Sequence, residues 1–166
     1  MSCTYLLDAN VFIQAHRILY PFDVFPTFWV WLEKENEKGI IASIEPVYKE
    51  LNNSSDADRL SEWSKSINKE SWFLPVENQE CQKEFKLIAN WTYKNKQYND
   101  TAKAQFLDIV DSLIIAKAKS LGITVVTQEK PAPGSKSKIF IPDVCNEFGV
   151  PYIDLLQLFR ILKGQF

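Results

Sequence analysis

Carboxylates stand at four separated places along this chain: Asp8, Glu50, Asp111 and Glu129. Asp8 ends an apolar run over residues 4–7 and is followed by Ala9 and Asn10. Asp111 stands among Ile109, Val110, Leu113, Ile114 and Ile115, three residues after Asp108. A carboxylate among so many aliphatic neighbours is costly unless it is paired or bound to a metal. Carboxylates gathered at one edge also repel and raise one another's pKa values. A hard divalent cation, Mg2+ or Mn2+, relieves both problems because it takes oxygen ligands. Such an ion can orient and acidify a water for in-line attack on phosphate, and a second can stabilise the leaving oxygen.

Each residue also has a simpler reading. Asp8 alone could cap the first helix. Glu50 alone reads as a solvated helix residue, Asp108 as a surface residue or helix-break cap, and Thr127 as an ordinary strand residue. Asp111 could lie on a half-exposed helix edge. The conjunction of four acids in four stretches is what favours one shared acidic site.

The elements that must position these groups follow from periodicity and punctuation. Residues 4–7 read as a buried strand, with Asn10 able to cap a helix over residues 11–20 that Pro21 stops. Pro26 suits a helix first turn. Phe25, Phe28, Trp29 and Leu32 recur at helical spacing before Gly39. Residues 40–44 form a second buried strand. Glu45-Pro46 opens a helix carrying Val47, Glu50 and Leu51. A turn at residues 52–55 precedes a helix that starts at Asp56 or Asp58, with Leu60, Trp63 and Ile67 on one face. Residues 71–76 are an ambiguous extended stretch interrupted by Pro75. Phe85, Ile88 and Trp91 mark a further helix. Residues 101–121 predict a helix broken near Leu107 and ended by Gly122. Residues 123–127 are the clearest strand, followed by a loop over 128–138. A short strand at 139–141, a helix from Pro142-Asp143 to Phe148, a strand at 151–153 and a C-terminal helix complete the pattern.

Strands alternating with helices predict a central, mostly parallel sheet covered on both faces, a three-layer α/β/α fold. In such sheets ligands sit beyond the carboxyl ends of the strands. Asp8, Thr127 and Glu129 are expected at that edge.

The order Leu6-Leu7-Asp8-Ala9-Asn10, Val47-Tyr48-Lys49-Glu50-Leu51, Asp111-Ser112-Leu113-Ile114-Ile115-Ala116-Lys117-Ala118 and Val125-Val126-Thr127-Gln128-Glu129 resembles the PIN-domain nucleases, including the VapC-type toxins. Tyr20-Pro21-Phe22-Asp23, Phe28-Trp29-Val30-Trp31-Leu32 and Ile141-Pro142-Asp143-Val144-Cys145 look like an uncharacterised bacterial PIN-like subfamily. The resemblance implies that residues 1–166 form a single PIN-like nuclease domain. It implies that Asp8, Glu50, Asp111 and Glu129 hold Mg2+ or Mn2+, with Asn10 and Thr127 positioning Asp8 and a bound water. It further implies an endoribonuclease that acts as the toxin of a toxin–antitoxin pair, with RNA as substrate and an antitoxin as partner. One departure stands out. Many PIN domains carry an Asp, often followed by another acid, where this chain has Glu129 alone before Lys130. One metal or two is therefore left open, as is a compensating role for Asp108.

Composition sets bounds on these readings. The 166 residues are 46% hydrophobic, with five Trp and eleven Phe, which suits one aromatic core. The net charge of −2 gives no global basic field for nucleic acid. Local cations are instead expected to meet RNA phosphates: Arg17 beside the sole histidine, His16, and Lys130, Lys136 and Lys138 in the 128–138 loop. That loop reads equally as a solvated connection. His16 reads as a surface or substrate-side residue, since no nucleophilic Ser or Cys motif accompanies it. Cys3, Cys81 and Cys145 have no metal-ligand spacing and read as reduced thiols of a cytoplasmic protein. Residues 1–13 lack the basic leader of a signal peptide, and no apolar run reaches the roughly 20 residues of a membrane span. Phe22, Phe25, Phe28, Trp29 and Trp31 are too crowded for one helix face, so an exposed remainder could form a homodimer or antitoxin surface. The five glycines are dispersed, which speaks against a phosphate-binding loop.

Two rivals remain at this point. One is a non-catalytic interaction module on the same fold. The other is a haloacid-dehalogenase-like phosphatase with Asp8 as nucleophile, a class that wants an Asp where Asn10 stands.

Overall fold

A computed structural model describes residues 3–53, 58–108 and 110–166. Five strands build one sheet: β1 (Tyr5–Leu7), β2 (Ile41–Ile44), β3 (Phe73–Leu74), β4 (Thr124–Val126) and β5 (Tyr152–Ile153). Their order is β3-β2-β1-β4-β5, and every pairing is parallel. Helices flank the sheet, so the α/β/α expectation is met. Every residue of β2, and Leu6, Leu7, Val125 and Val126 of β1 and β4, is buried, as strands sandwiched between helix layers must be.

The strand order creates a switch point. The chain builds outward from β1 through β2 to β3, then returns to place β4 on the other side of β1. The connections on either side of β1 therefore leave in opposite directions and open a crevice at the carboxyl ends of β1 and β4. Leu7 pairs with Val126 in register, so Asp8 and Thr127 emerge side by side.

The helices are α1 (Ala9–Gln14), α2 (Pro26–Glu37), α3 (Glu45–Leu51), α4 (Arg59–Ser66), α5 (Lys69–Trp72), α6 (Gln79–Lys94), α7 (Asp100–Asp108), α8 (Val110–Leu121), α9 (Ile141–Phe148) and α10 (Leu155–Leu162). The apolar helix α8 packs on α6 and reaches both β1 and β4. Gly122 and Gly149 follow α8 and α9 at φ +68, a left-handed conformation that glycine adopts without steric cost. Phe12, Trp63 and Trp72 meet edge-on or tilted in the core, at centroid distances of 5.5 to 6.0 Å. Burial of each such ring contributes roughly 1.5–3 kcal/mol.

Several expectations need correction. Asn10 does not cap the first helix: it lies inside α1, and Asp8 is the residue that precedes it. The expected helix over 11–20 is α up to Gln14 and then π-helical over Ala15–Leu19. There the Tyr20 N–H donates to the Ala15 carbonyl, five residues back, at 2.7 Å. Phe25 is not on the α2 face but precedes the helix, because Pro26 occupies its first position. The ambiguous stretch resolves into the short helix α5 and β3. Helix α4 starts after Asp58, whose carboxylate accepts from the Ser61 N–H at 2.8 Å. The alternative start Asp56 and the second half of the expected turn at 52–55 lie outside the described residues, as does Ile109 between α7 and α8.

Residues 139–141 form no strand. Ile141 is the first residue of α9, and its N–H is taken by the Glu129 carboxylate rather than by a neighbouring strand.

Candidate active site

Asp8 leaves β1 with 1% of its surface exposed. Its backbone N–H donates to the Val126 carbonyl at 3.0 Å, which continues the β1–β4 ladder one residue further. The side chain makes no cap hydrogen bond to α1, so capping does not explain this acid. The Thr127 hydroxyl donates to Asp8 Oδ2 at 3.2 Å, and Thr127 is itself buried. The same hydroxyl oxygen accepts the Glu129 N–H at 3.2 Å. Thr127 thus joins the end of β1 to the turn that carries Glu129. No hydrogen bond joins Asn10 to Asp8 among the described residues, and the Thr127 hydroxyl is the side-chain partner of this carboxylate.

Asp111 enters from the first turn of α8 and is 8% exposed. Burial, then the charges of Glu129 and Glu50, push its carboxyl up to about 7, while Lys138 opposes the shift. Asp8 is raised well above the carboxylate range by burial, then by the charges of Asp111 and Glu129. Its hydrogen bonds to Thr127 and the Ala9 amide act the other way. These couplings place Asp8, Asp111 and Glu129 within electrostatic reach of one another, with Glu50 on the Asp111 side. Asp8 and Asp111 titrate together, and protons on this pair add to the charge compensation that Lys138 supplies.

Glu129 is fixed at both oxygens. Oε2 accepts the Ile141 N–H at 2.7 Å, and Oε1 lies 3.6 Å from the Lys138 ammonium. Its side chain is 7% exposed. Glu50 is more open. It lies beside Lys49, Asn53, Asp108 and Leu113 along a groove of about 490 Å³, and partial burial raises its carboxyl. Asp108 is exposed at the end of α7 and faces this groove with Glu50. Hollows of about 540 and 610 Å³ on α6 and at the C-terminus include none of the four acids, and the chemistry favours the smaller groove.

The four acids suit a hard cation in donor type, since all are carboxylate oxygens. As they stand, however, no group of three or more Asp, Glu, His or Cys side chains among the described residues is arranged to hold a metal ion. To serve as a ligand, Glu129 would share its carboxylate lone pairs among the Ile141 N–H, Lys138 and the ion.

The cations divide. Lys138 reaches the acids. Lys130 pairs instead with Asp154 at 3.6 Å. Lys136 is exposed, and its carbonyl accepts the Asn99 N–H at 2.9 Å. Arg17 is exposed on the π-helical segment. His16 packs on Phe22 at 5.6 Å, with Nε2 3.8 Å from Asp58, away from any nucleophilic arrangement.

Sequence reasoning took Cys145 only as a reduced thiol and did not place it beside the acids. This buried thiol of α9 is pushed up to about 12 by burial and then by the charges of Glu129 and Asp8, so it borders the acidic site. Among the described residues, no helix is long and apolar enough to cross a membrane.

The chain is similar to a chain in the crystal structure of VapBC2 from Rickettsia felis bound to a DNA fragment from their promoter. The two share 14% identity and a TM-score of 0.53, over 90% of this chain and 97% of that one. That likeness shows a shared fold, the PIN-like α/β/α arrangement expected from the sequence. No curated protein is significantly similar to the chain. The model of the family described as "Domain of unknown function (DUF4411)" matches residues 5–166, and the chain belongs to that family.

Proposed function

We propose that this protein is a divalent-cation-dependent endoribonuclease, the toxin of a toxin–antitoxin pair. The observation that carries the proposal is the electrostatic coupling of buried Asp8 and Asp111 with Glu129 at the switch point of a parallel sheet. Buried carboxylates that raise one another's pKa store a strong preference for positive charge, which a cation with oxygen ligands meets.

Asp8, Glu50, Asp111 and Glu129 would hold Mg2+ or Mn2+. When bound, such an ion supplies Lewis acidity toward a water and a phosphate oxygen. Thr127 keeps the Asp8 carboxylate oriented. The groove between Glu50 and Asp108 provides an open approach for an extended strand. Lys138, with Lys130, Lys136 and Arg17 further out, offers ammonium and guanidinium groups to the backbone phosphates. The fold shared with a VapBC2 chain supports the toxin reading and an antitoxin partner.

The test is cleavage of RNA by purified protein with and without Mg2+. Cleavage that requires the ion and disappears in Asp8→Ala and Asp111→Ala is the expected result. Undiminished cleavage in both variants would refute the assignment of the site.

One observation favours a second reading, a non-catalytic interaction module: Glu129 is already satisfied by Ile141 and Lys138. That module would gain no thermal stability from Mn2+, whereas a cation site raises the melting temperature by linkage.

A further inference from the structure

The Lys138 ammonium lies 3.6 Å from Glu129 Oε1 and 4.7 Å from the centroid of the Phe140 ring. Its charge also reaches Asp111, where it works against burial, Glu129 and Glu50. The other Glu129 oxygen is locked onto the first N–H of α9, so the carboxylate presents a fixed face to the lysine. The segment leading to Lys138 is tethered too. The Lys138 N–H donates to Ser135 Oγ at 3.3 Å, and the Gln97 side chain donates to the Pro133 and Ser135 carbonyls at 2.6 and 2.7 Å. Lys130, in the same loop, is committed to Asp154. One lysine of this loop is therefore stationed at the acids, by contacts on three sides.

We propose that Lys138 is a resident counter-cation of the acidic site, which holds Glu129 in place when no divalent ion is bound and competes with such an ion for the same carboxylates. This inference rests on the reading of the site as a cation site. An ammonium and a divalent ion cannot both take full advantage of one set of oxygens, so entry of the ion weakens the hold on Lys138. The half-exposed lysine is then free at the mouth of the site, where its ammonium can meet a phosphate.

The experiment is calorimetric titration of MnCl2 into the wild-type protein and the variants Lys138→Met, Lys138→Arg and Lys130→Met. Lys138→Met keeps the apolar stem against Phe140 but removes the competing charge. It is expected to bind Mn2+ roughly two- to fivefold more tightly at low ionic strength, the range of a solvent-screened ion pair. Raising the KCl concentration narrows that gap. Lys138→Arg restores wild-type affinity, and Lys130→Met matches the wild type. Unchanged or weaker binding by Lys138→Met overturns the inference, as does equal tightening by Lys130→Met, which would mark a general charge effect. Failure of all four proteins to bind Mn2+ overturns the cation-site reading and this inference with it. Binding in which Lys138→Met is indistinguishable from the wild type overturns this inference alone.

Discussion

The Thr127 hydroxyl donates a 3.2 Å hydrogen bond to Asp8 across a separation of 119 residues. It is a side-chain link between the ends of the two central strands at the candidate active site, beside the backbone bond from the Asp8 N–H to the Val126 carbonyl. Removing it in Thr127→Val strips a buried carboxylate of a partner. We expect a loss of about 1–3 kcal/mol in urea denaturation and weaker Mn2+ binding, with Thr127→Ser close to wild type. A Thr127→Val protein that matched wild type in both measurements would show that the hydroxyl does not hold Asp8.

Stability should fall as pH rises across the site's titration. Asp111 has a folded-state pKa of about 7 against an ordinary value of 3.8. Between these values the folded state binds more protons than the unfolded state, so the contribution of Asp111 is present below about pH 4 and is lost as pH rises through about 7. Asp8, also raised, adds to the same trend. Asp111→Asn should flatten the slope and stabilise the metal-free protein at pH 8. Chemical denaturation at pH 5, 6.5 and 8 measures this, and parallel slopes for the two proteins would contradict it.

Glu129 has two separable duties. In Glu129→Ala the Ile141 N–H loses its acceptor, which should cost about 1–2 kcal/mol and speed amide exchange at the start of α9. Glu129→Gln retains a carbonyl oxygen for that N–H but no charge. It should keep most of the stability while losing affinity for Mn2+. Hydrogen exchange and calorimetry together separate the two, and equal loss of stability in both variants would argue against the distinction.

The cysteines should be inert in the folded state. Burial pushes the Cys3 thiol up to about 11 and Cys145 up to about 12, and it raises Cys81 as well. Thiolate is the reactive form, so a disulfide-exchange reagent at pH 8 should react slowly with native protein and rapidly with all three thiols in denaturant. A fast phase in the native protein would show an accessible thiol.

The sequence by itself determined the alternation of strands and helices, the helix stops at Gly39 and Gly122, and the acids and Thr127 that terminate strands. These are local signals, because periodicity and punctuation report what each segment does with its own neighbours. Only the tertiary structure decided that β1 lies beside β4, and therefore that Asp8 meets Thr127 and not Asn10. It also decided that residues 139–141 surrender their strand to a helix start held by Glu129, that Lys138 and not Lys130 or Lys136 faces the acids, and that Cys145 borders them. Each of these depends on partners far apart in the chain. Short-range periodicity carries no information about which distant backbone N–H or ammonium a carboxylate will find once the layers have packed.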